Sequence, residues 1–185
     1  RHPKQVEYTA NLEEDLKRRD FTINAMAYNP KSGIIDLFDG VSDLEKKIIR
    51  CVGDARQRFS EDALRMLRGV RFAGQLGFDV EKETLDAIYE LAPTIQNVSK
   101  ERIRVEITKL LLSGQPEKLK LAEDAGLCEY FFPEFRKMIQ TTQENPHHIF
   151  SVGEHAMQAV KHVQKLYREM EKEEMRTSIF SPFDK

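Results

Sequence analysis

Apolar residues in this chain switch period near Asp54. Before it they come in short runs between turn signals, and after it they recur at helical spacing. Met26-Ala27-Tyr28 precedes Asn29-Pro30 and Gly33, and Ile34-Ile35-Asp36-Leu37-Phe38 precedes Asp39-Gly40, so the spacing predicts two strands with a tight link. Ile48 to Val52 reads as a third strand, ended by Gly53. Beyond Asp54, Ala63, Met66, Leu67, Val70 and Ala73 form one stripe closed by Gly77, which predicts a helix. A further helix is expected over Glu81 to Glu90. The next starts at Ser99, with Ile103, Ile107, Leu110 and Leu111 on one face, and stops at Gly114. Another runs from Pro116 to Ala125 with Gly126 as its C-cap, and Phe131-Phe132-Pro133 is expected to end the array. A long helix is expected from Ser151 to Met175.

With 40% hydrophobic residues in 185, the chain can bury a core. Its 29 basic and 31 acidic side chains nearly cancel, so any footprint for nucleic acid must be local. Cys51 and Cys128 lack metal-ligand spacing and sit among apolar neighbours, as buried thiols in a reducing cytosol do. No apolar run approaches the roughly 20 residues that span a bilayer, and the expectation is a soluble cytoplasmic protein. The chain starts at Arg1 rather than Met, almost on its first motif, and reads as a fragment.

Two stretches carry candidate chemistry. In Phe59 to Ala73, helical spacing sets Asp62, Arg65, Arg68 and Phe72 opposite the apolar stripe, with Arg71 on its flank. Asp62 and Arg65, three apart, read either as an intrahelical ion pair worth a few tenths of a kcal/mol or as a base reader. A carboxylate only accepts and a guanidinium only donates, so together they match the amino donor and ring-nitrogen acceptor of cytosine or adenine. Arg68 and Arg71 would then be free for phosphates, or solvated. In Leu16 to Met26, Asp20 reads as the N-cap of a helix followed by a buried Phe21, Ile23, Ala25 and Met26 patch. Alternatively, Arg19 takes a triphosphate oxygen while Asp20 and Asn24 take a ribose hydroxyl. Lys100, Arg102, Arg104 and Lys109 either track an RNA backbone or form a solvated face.

Arg18-Arg19-Asp20-Phe21-Thr22-Ile23-Asn24-Ala25-Met26-Ala27, then Asp36-Leu37-Phe38-Asp39-Gly40, then Phe59 to Phe72, Leu76-Gly77-Phe78 and Ser99 to Ile103 follow one another in an order and spacing that resembles the class II CCA-adding enzyme and bacterial poly(A) polymerase family. The likeness covers residues 1 to about 135. It implies an α+β, mostly α fold: residues 1–53 as the C-terminal part of a nucleotidyltransferase head with few strands, 54–135 as a helical neck binding nucleotide and RNA, and 145–185 as the start of a further HD-like helical domain. It also implies that Arg19, Asp20, Asn24, Asp62, Arg65, Arg68 and Arg71 bind nucleotide. The partners it implies are CTP, ATP and the 3′ end of tRNA or another RNA, and the reaction is attack of the RNA 3′ hydroxyl on the α-phosphate, with pyrophosphate leaving and Mg²⁺ stabilising the charge.

The family's glycine-rich turn and its D-x-D carboxylates, which hold two metal ions, do not occur in this sequence. Asp36 and Asp39, three apart at a strand end, read as structural rather than as a substitute, so no catalytic or metal-binding residue is expected in this chain, which by itself should bind nucleotide weakly and not polymerise. His147, His148, His155 and His162 resemble the opening of an HD-type domain with His155 at its first ligand position, but the downstream His-Asp doublet is absent and no metal is expected there. Two other functions compete: a non-catalytic helical module that grips nucleotide or RNA, and a piece of an HD phosphohydrolase.

Overall fold

The computed structural model describes residues 11–141 and 150–180. Helix α1 (Leu12–Lys17) begins where Asn11 Oδ1 accepts the Glu13 N–H at 3.0 Å, and three acidic residues occupy its first turn, where the helix dipole favours them. The chain then crosses to Arg50–Val52. Thr22 N–H donates to Arg50 O at 2.9 Å and Val52 N–H to Asp20 O at 3.1 Å, while Phe21 bridges Cys51. These bonds fix Asp20 in space. Asp20 is therefore not an N-cap, because the short 3₁₀ turn Thr22–Asn24 is preceded by Phe21. Of the expected apolar patch, Phe21 and Ala25 are fully buried and Ile23 and Met26 only partly.

Strands β1 (Met26–Asn29) and β2 (Gly33–Asp36) form the expected hairpin, pairing Met26 with Asp36 and Asn29 with Gly33. Gly33 takes a positive φ of 78°, which is why the turn ends on glycine. The second strand stops at Asp36 because its carboxylate caps α2 (Gly40–Lys46), accepting N–H bonds from Gly40 and Val41 at 2.9 Å and from Phe38 at 3.3 Å. A Cβ at Gly40 would lie 2.3 Å from the Thr22 carbonyl oxygen. Backbone cannot yield there as a side chain can, so Gly40→Ala is expected to cost about 3 kcal/mol, read as a fall in melting temperature of about 6–12 °C. An unchanged melting curve would show that α2 shifts freely against the 3₁₀ turn.

The third strand is shorter than expected. β3 (Ile48–Ile49) pairs in parallel with β4 (Asp79–Val80), a strand that periodicity did not foresee. This ladder joins the N-terminal segment to the helices. Helix α3 (Ala55–Glu61) is capped by Asp54, whose carboxylate accepts the Gln57 N–H at 2.8 Å; α4 (Leu64–Leu76) ends at Gly77 with φ 69°. The single helix expected across Phe59 to Ala73 is thus two. Asp62 breaks it at φ −151° and ψ 102°, and its Oδ1 accepts the Leu64 N–H at 3.2 Å, an aspartate competing with the helix for a backbone donor.

Helices α5 (Lys82–Leu91) and α6 (Lys100–Leu111) appear where the periodicity sets them, with a 3₁₀ turn, Ala92–Asn97, between. Gly74 lets α4 and α6 close on each other: a Cβ there would meet Leu110 Cδ1 at 2.5 Å. The expected helix from Pro116 is a 3₁₀ turn (Pro116–Lys118) running into α7 (Leu119–Asp124), with Gly126 at φ 79° beyond it. The array does not end at Phe131-Phe132-Pro133, since Pro133 opens α8 (Pro133–Gln140), occupying a first-turn position where its missing N–H costs nothing. Helix α9 (Val152–Phe180) packs on α8 through Gly153 and Ile139.

One buried cluster runs from Phe21 and Phe59 through Met66, Leu67, Ile88, Ile95 and Leu110 to Leu127 and Phe135. The expected stripe of α4 lies inside it: Met66, Leu67, Val70 and Ala73 are 1% exposed or less and Ala63 is 9%. Cys51 and Cys128 are free and buried, and burial pushes both thiols up to about 12. No helix among the described residues is long and apolar enough to cross a membrane.

Candidate functional site

The residues singled out in the sequence divide among three places. The first is a recess of about 340 Å³ lined by Asp15, Arg18, Arg19, Asp20, Asn24 and Arg68. Arg19 donates to Asp15 at 3.0 Å and to the Asn24 carbonyl at 3.4 Å, and Asn24 Oδ1 accepts the Phe21 N–H at 3.2 Å. At the back of this recess Asp20, 8% exposed, receives Arg65 Nε on one oxygen at 2.9 Å and Arg68 Nη2 on the other at 2.8 Å. Two guanidiniums from α4 are thereby locked to the turn that follows α1. The Nε of Arg68 is buried with no hydrogen-bond partner, a donor that an oxygen lodged in the recess would satisfy. Three arginines against two aspartates leave the lining net positive.

The second place is a recess of about 560 Å³ around the helix break, lined among others by Phe59, Ser60, Asp62, Asn97, Ser99 and Arg102. Asp62 does not pair with Arg65 here. Its Oδ2 accepts from Arg102 Nη2 at 2.6 Å, so Arg102, expected among the RNA contacts, instead orients a carboxylate. Arg65 joins the two recesses. Besides Asp20 it donates to Glu61 at 2.7 Å and to the carbonyls of Arg58 at 3.0 Å and Arg18 at 3.4 Å, leaving one N–H of Nη2 uncommitted. Burial raises the Asp62 pKa, but the Arg102 hydrogen bond, the Leu64 N–H and the charges of Arg102 and Arg65 outweigh it, and the carboxyl sits below the ordinary 3.8.

A depressed folded pKa contributes stability that is present above the unfolded value and lost as pH falls through the folded one. Arg102→Ala removes the main opposing donor while burial stays. The Asp62 carboxyl resonance is then expected to titrate at higher pH than in the parent chain. A midpoint that stays put would mean that Arg102 does not hold this carboxylate in solution.

The third place corrects an expectation. Arg71 is not free for phosphate: it is 8% exposed in the seam between α4 and α6, with its Nε 2.5 Å from Glu106 Oε2 and a second donor on Gln75. Sequence reasoning passed over Glu106, although a glutamate set among Ile103, Ile107 and Leu110 on the apolar face of α6 calls for a buried cation opposite it. It also passed over Glu61 and Arg18, which adjoin the motifs without any periodic signal. Of the expected RNA contacts, Lys100, Arg104 and Lys109 are exposed on α6. His162 Nδ1 lies 2.9 Å from the Gln158 carbonyl; His147 and His148 fall outside the described residues.

Comparison with known proteins bears on this geometry. The poly A polymerase head domain model matches residues 1–50, and that for a probable RNA and SrmB-binding site of polymerase A matches residues 77–139. The chain belongs to the tRNA nucleotidyltransferase and poly(A) polymerase family. Among relatives of this family, the CCA-adding enzyme of Leuconostoc mesenteroides is 53% identical over 123 residues, 66% of this chain and 31% of its own length. That of Streptococcus gordonii is 44% identical over 165 residues, 86% of this chain and 41% of its own. The Bacillus stearothermophilus CCA-adding enzyme in complex with CTP superimposes with a TM-score of 0.69 at 43% identity over 72% of this chain and 34% of that one. The Thermotoga maritima CCA-adding enzyme complexed with tRNA does so at 0.61 and 30% identity over 73% and 32%. The chain therefore spans about a third of the length of the family members it matches.

The family implies Mg²⁺, and Asp36 and Asp20 do not fit it. Both oxygens of Asp36 accept backbone N–H groups and both of Asp20 accept guanidiniums, which leaves neither facing an ion. No three His, Cys, Asp or Glu side chains converge among the described residues.

Proposed function

We propose that this chain supplies the nucleotide-selecting part of a tRNA nucleotidyltransferase that adds C, A or both to an RNA 3′ end from CTP and ATP. The observation that carries this reading is the Asp20 carboxylate shared by Arg65 and Arg68. It joins a net-positive recess, suited to a triphosphate, to the recess that holds Asp62. Residues 1–53 form the last part of the head, 54–135 the neck and 145–185 the start of a further helical domain. The head and RNA-site family matches over 1–50 and 77–139 support the first two of these parts.

In this reading Arg19 and Arg68 take phosphate oxygens and Asn24 supports the ribose. Asp62 accepts from the amino group of cytosine or adenine, while the uncommitted N–H of Arg65 donates to the ring nitrogen. Uracil and guanine present the inverse pattern and leave both groups unpaired, which costs more than a missing attraction. Arg71 acts through packing, holding α4 against α6. Phosphoryl transfer needs a pair of metal-binding carboxylates, and because the sequence carries no D-x-D pair the reading has this chain bind nucleotide by itself without joining it to RNA. Calorimetry of the chain with CTP, ATP, UTP and GTP tests the reading. Preference for CTP and ATP is expected; equal affinity for all four, or no binding at millimolar concentration, overturns it for this chain.

A further inference from the structure

A separate cavity of about 500 Å³ lies between α6 and the segment that leads into α8. Its floor is apolar, with Val98, Ile103 and Ile107, and its wall is the aromatic run Tyr130-Phe131-Phe132. Phe132 is spoken for: it stacks on the buried Phe135 with ring centroids 5.6 Å apart, whereas Tyr130 is 36% exposed. At the rim stand Lys100 and Arg104, one turn apart on α6, both exposed and neither in an ion pair among the described residues. Their neighbours differ, since Arg102 is taken by Asp62 and Glu106 by Arg71. The one acid in the lining is Glu129, so Lys100 and Arg104 leave the lining net positive, and the nearby Arg136 is taken by Glu123. Val98 lines this cavity and also the recess that holds Asp62, so the two are adjacent.

An aromatic wall, an apolar floor and two unpaired cations at the mouth form a set that recognises one unstacked base with its phosphate. The volume falls in the range of small-ligand pockets. A paired base, held in its stack, does not reach such a cavity. We propose that this cavity holds one unpaired nucleotide of the RNA acceptor, its base against Tyr130 and Phe131 and its phosphate on Lys100 and Arg104. The inference rests on the RNA-directed reading above and gives it a place: the acceptor strand is gripped beside the recess where the incoming base is read.

The test uses the whole chain and a single-stranded RNA octamer carrying 2-aminopurine, with a blunt duplex of the same sequence as control. Tyr130→Ala is expected to weaken single-strand binding about tenfold and to abolish the quenching that stacking gives the fluorescent base. Arg104→Ala, an exposed substitution that leaves the core intact, is expected to weaken it with a salt slope smaller by about 0.7. CTP affinity and duplex binding stay at parental values in both. Unchanged single-strand affinity and quenching in the two variants overturn the proposal while the RNA-directed reading stands. Equal loss for single strand and duplex also overturns it, because the rim would then be a general electrostatic surface. Absence of any RNA binding, with CTP still bound, overturns it and leaves the cavity to a protein partner, a result that does not touch nucleotide selection.

Discussion

Glu106→Leu is expected to lower the stability of the chain by about 3–5 kcal/mol, the usual cost of stranding one partner of a buried ion pair. Arg71 and Glu106 side chains are 9% and 10% exposed, and the pair sits in the seam between α4 and α6. Without Glu106 the guanidinium keeps Gln75 as an acceptor but loses its countercharge. For a chain of this size that corresponds to a melting temperature lower by about 6–20 °C. The double variant Arg71→Met/Glu106→Leu removes both charges and fills the seam, and should recover most of the loss. A Glu106→Leu chain that melts with the parent would show that Arg71 is solvated rather than buried. Any fall in nucleotide affinity in that variant should be undone in the double one, because Arg71 is assigned to packing and not to a phosphate.

The second large effect falls on base choice. Asp62→Ala deletes the acceptor for the amino group of cytosine or adenine, and CTP and ATP affinity should drop about 10–100-fold, the worth of a charge-assisted hydrogen bond. UTP and GTP, which gain nothing from that carboxylate, should change little, so the preference collapses toward unity. Asp62→Asn keeps the shape and replaces one acceptor by a donor, and it should relax the preference without harming the fold. Arg65→Ala does both kinds of damage, because the same side chain also ties Asp20, Glu61 and two carbonyls. Its stability has to be measured beside its binding. If CTP and ATP are still preferred in both Asp62 variants, that residue does not read the base, and the selection argument fails whatever Arg65 does.

Asp62 and Arg65 also show what binding requires. Asp62 is held by Arg102, and Arg65 keeps a single N–H free. A base entering between them competes with these internal partners, so affinity depends on how readily Arg102 releases the carboxylate. Arg102→Ala therefore has two readouts, the Asp62 titration and the nucleotide preference. They move together only if the ion pair orients the reader.

Much of the fold was legible because its signals are local. The stripe from Ala63 to Ala73, the glycine stops at Gly77 and Gly126, and the hairpin around Gly33 each arise within a few residues, where period and allowed φ set the outcome. What escaped was of two kinds. β4 is two residues long and has no period to detect, and Pro133 resembled a terminator although at a first-turn position it starts a helix. The helix break at Asp62 escaped because one hydrogen bond, from the Leu64 N–H to its side chain, outweighed helical continuity.

The sequence by itself determined that a short hairpin segment leads into a helical array, that Arg65 and Arg68 stand away from the apolar stripe of α4, and that the motifs belong to one family. Only the tertiary structure decided which charges meet. Arg65 lies three residues from Asp62 yet pairs with Asp20, 45 residues away, and Arg71 finds Glu106, 35 residues on. A guanidinium on a long, flexible stem reaches any carboxylate the fold brings near. Which one it takes is set by burial and by the competing donors around it, and neither is written in the spacing along the chain.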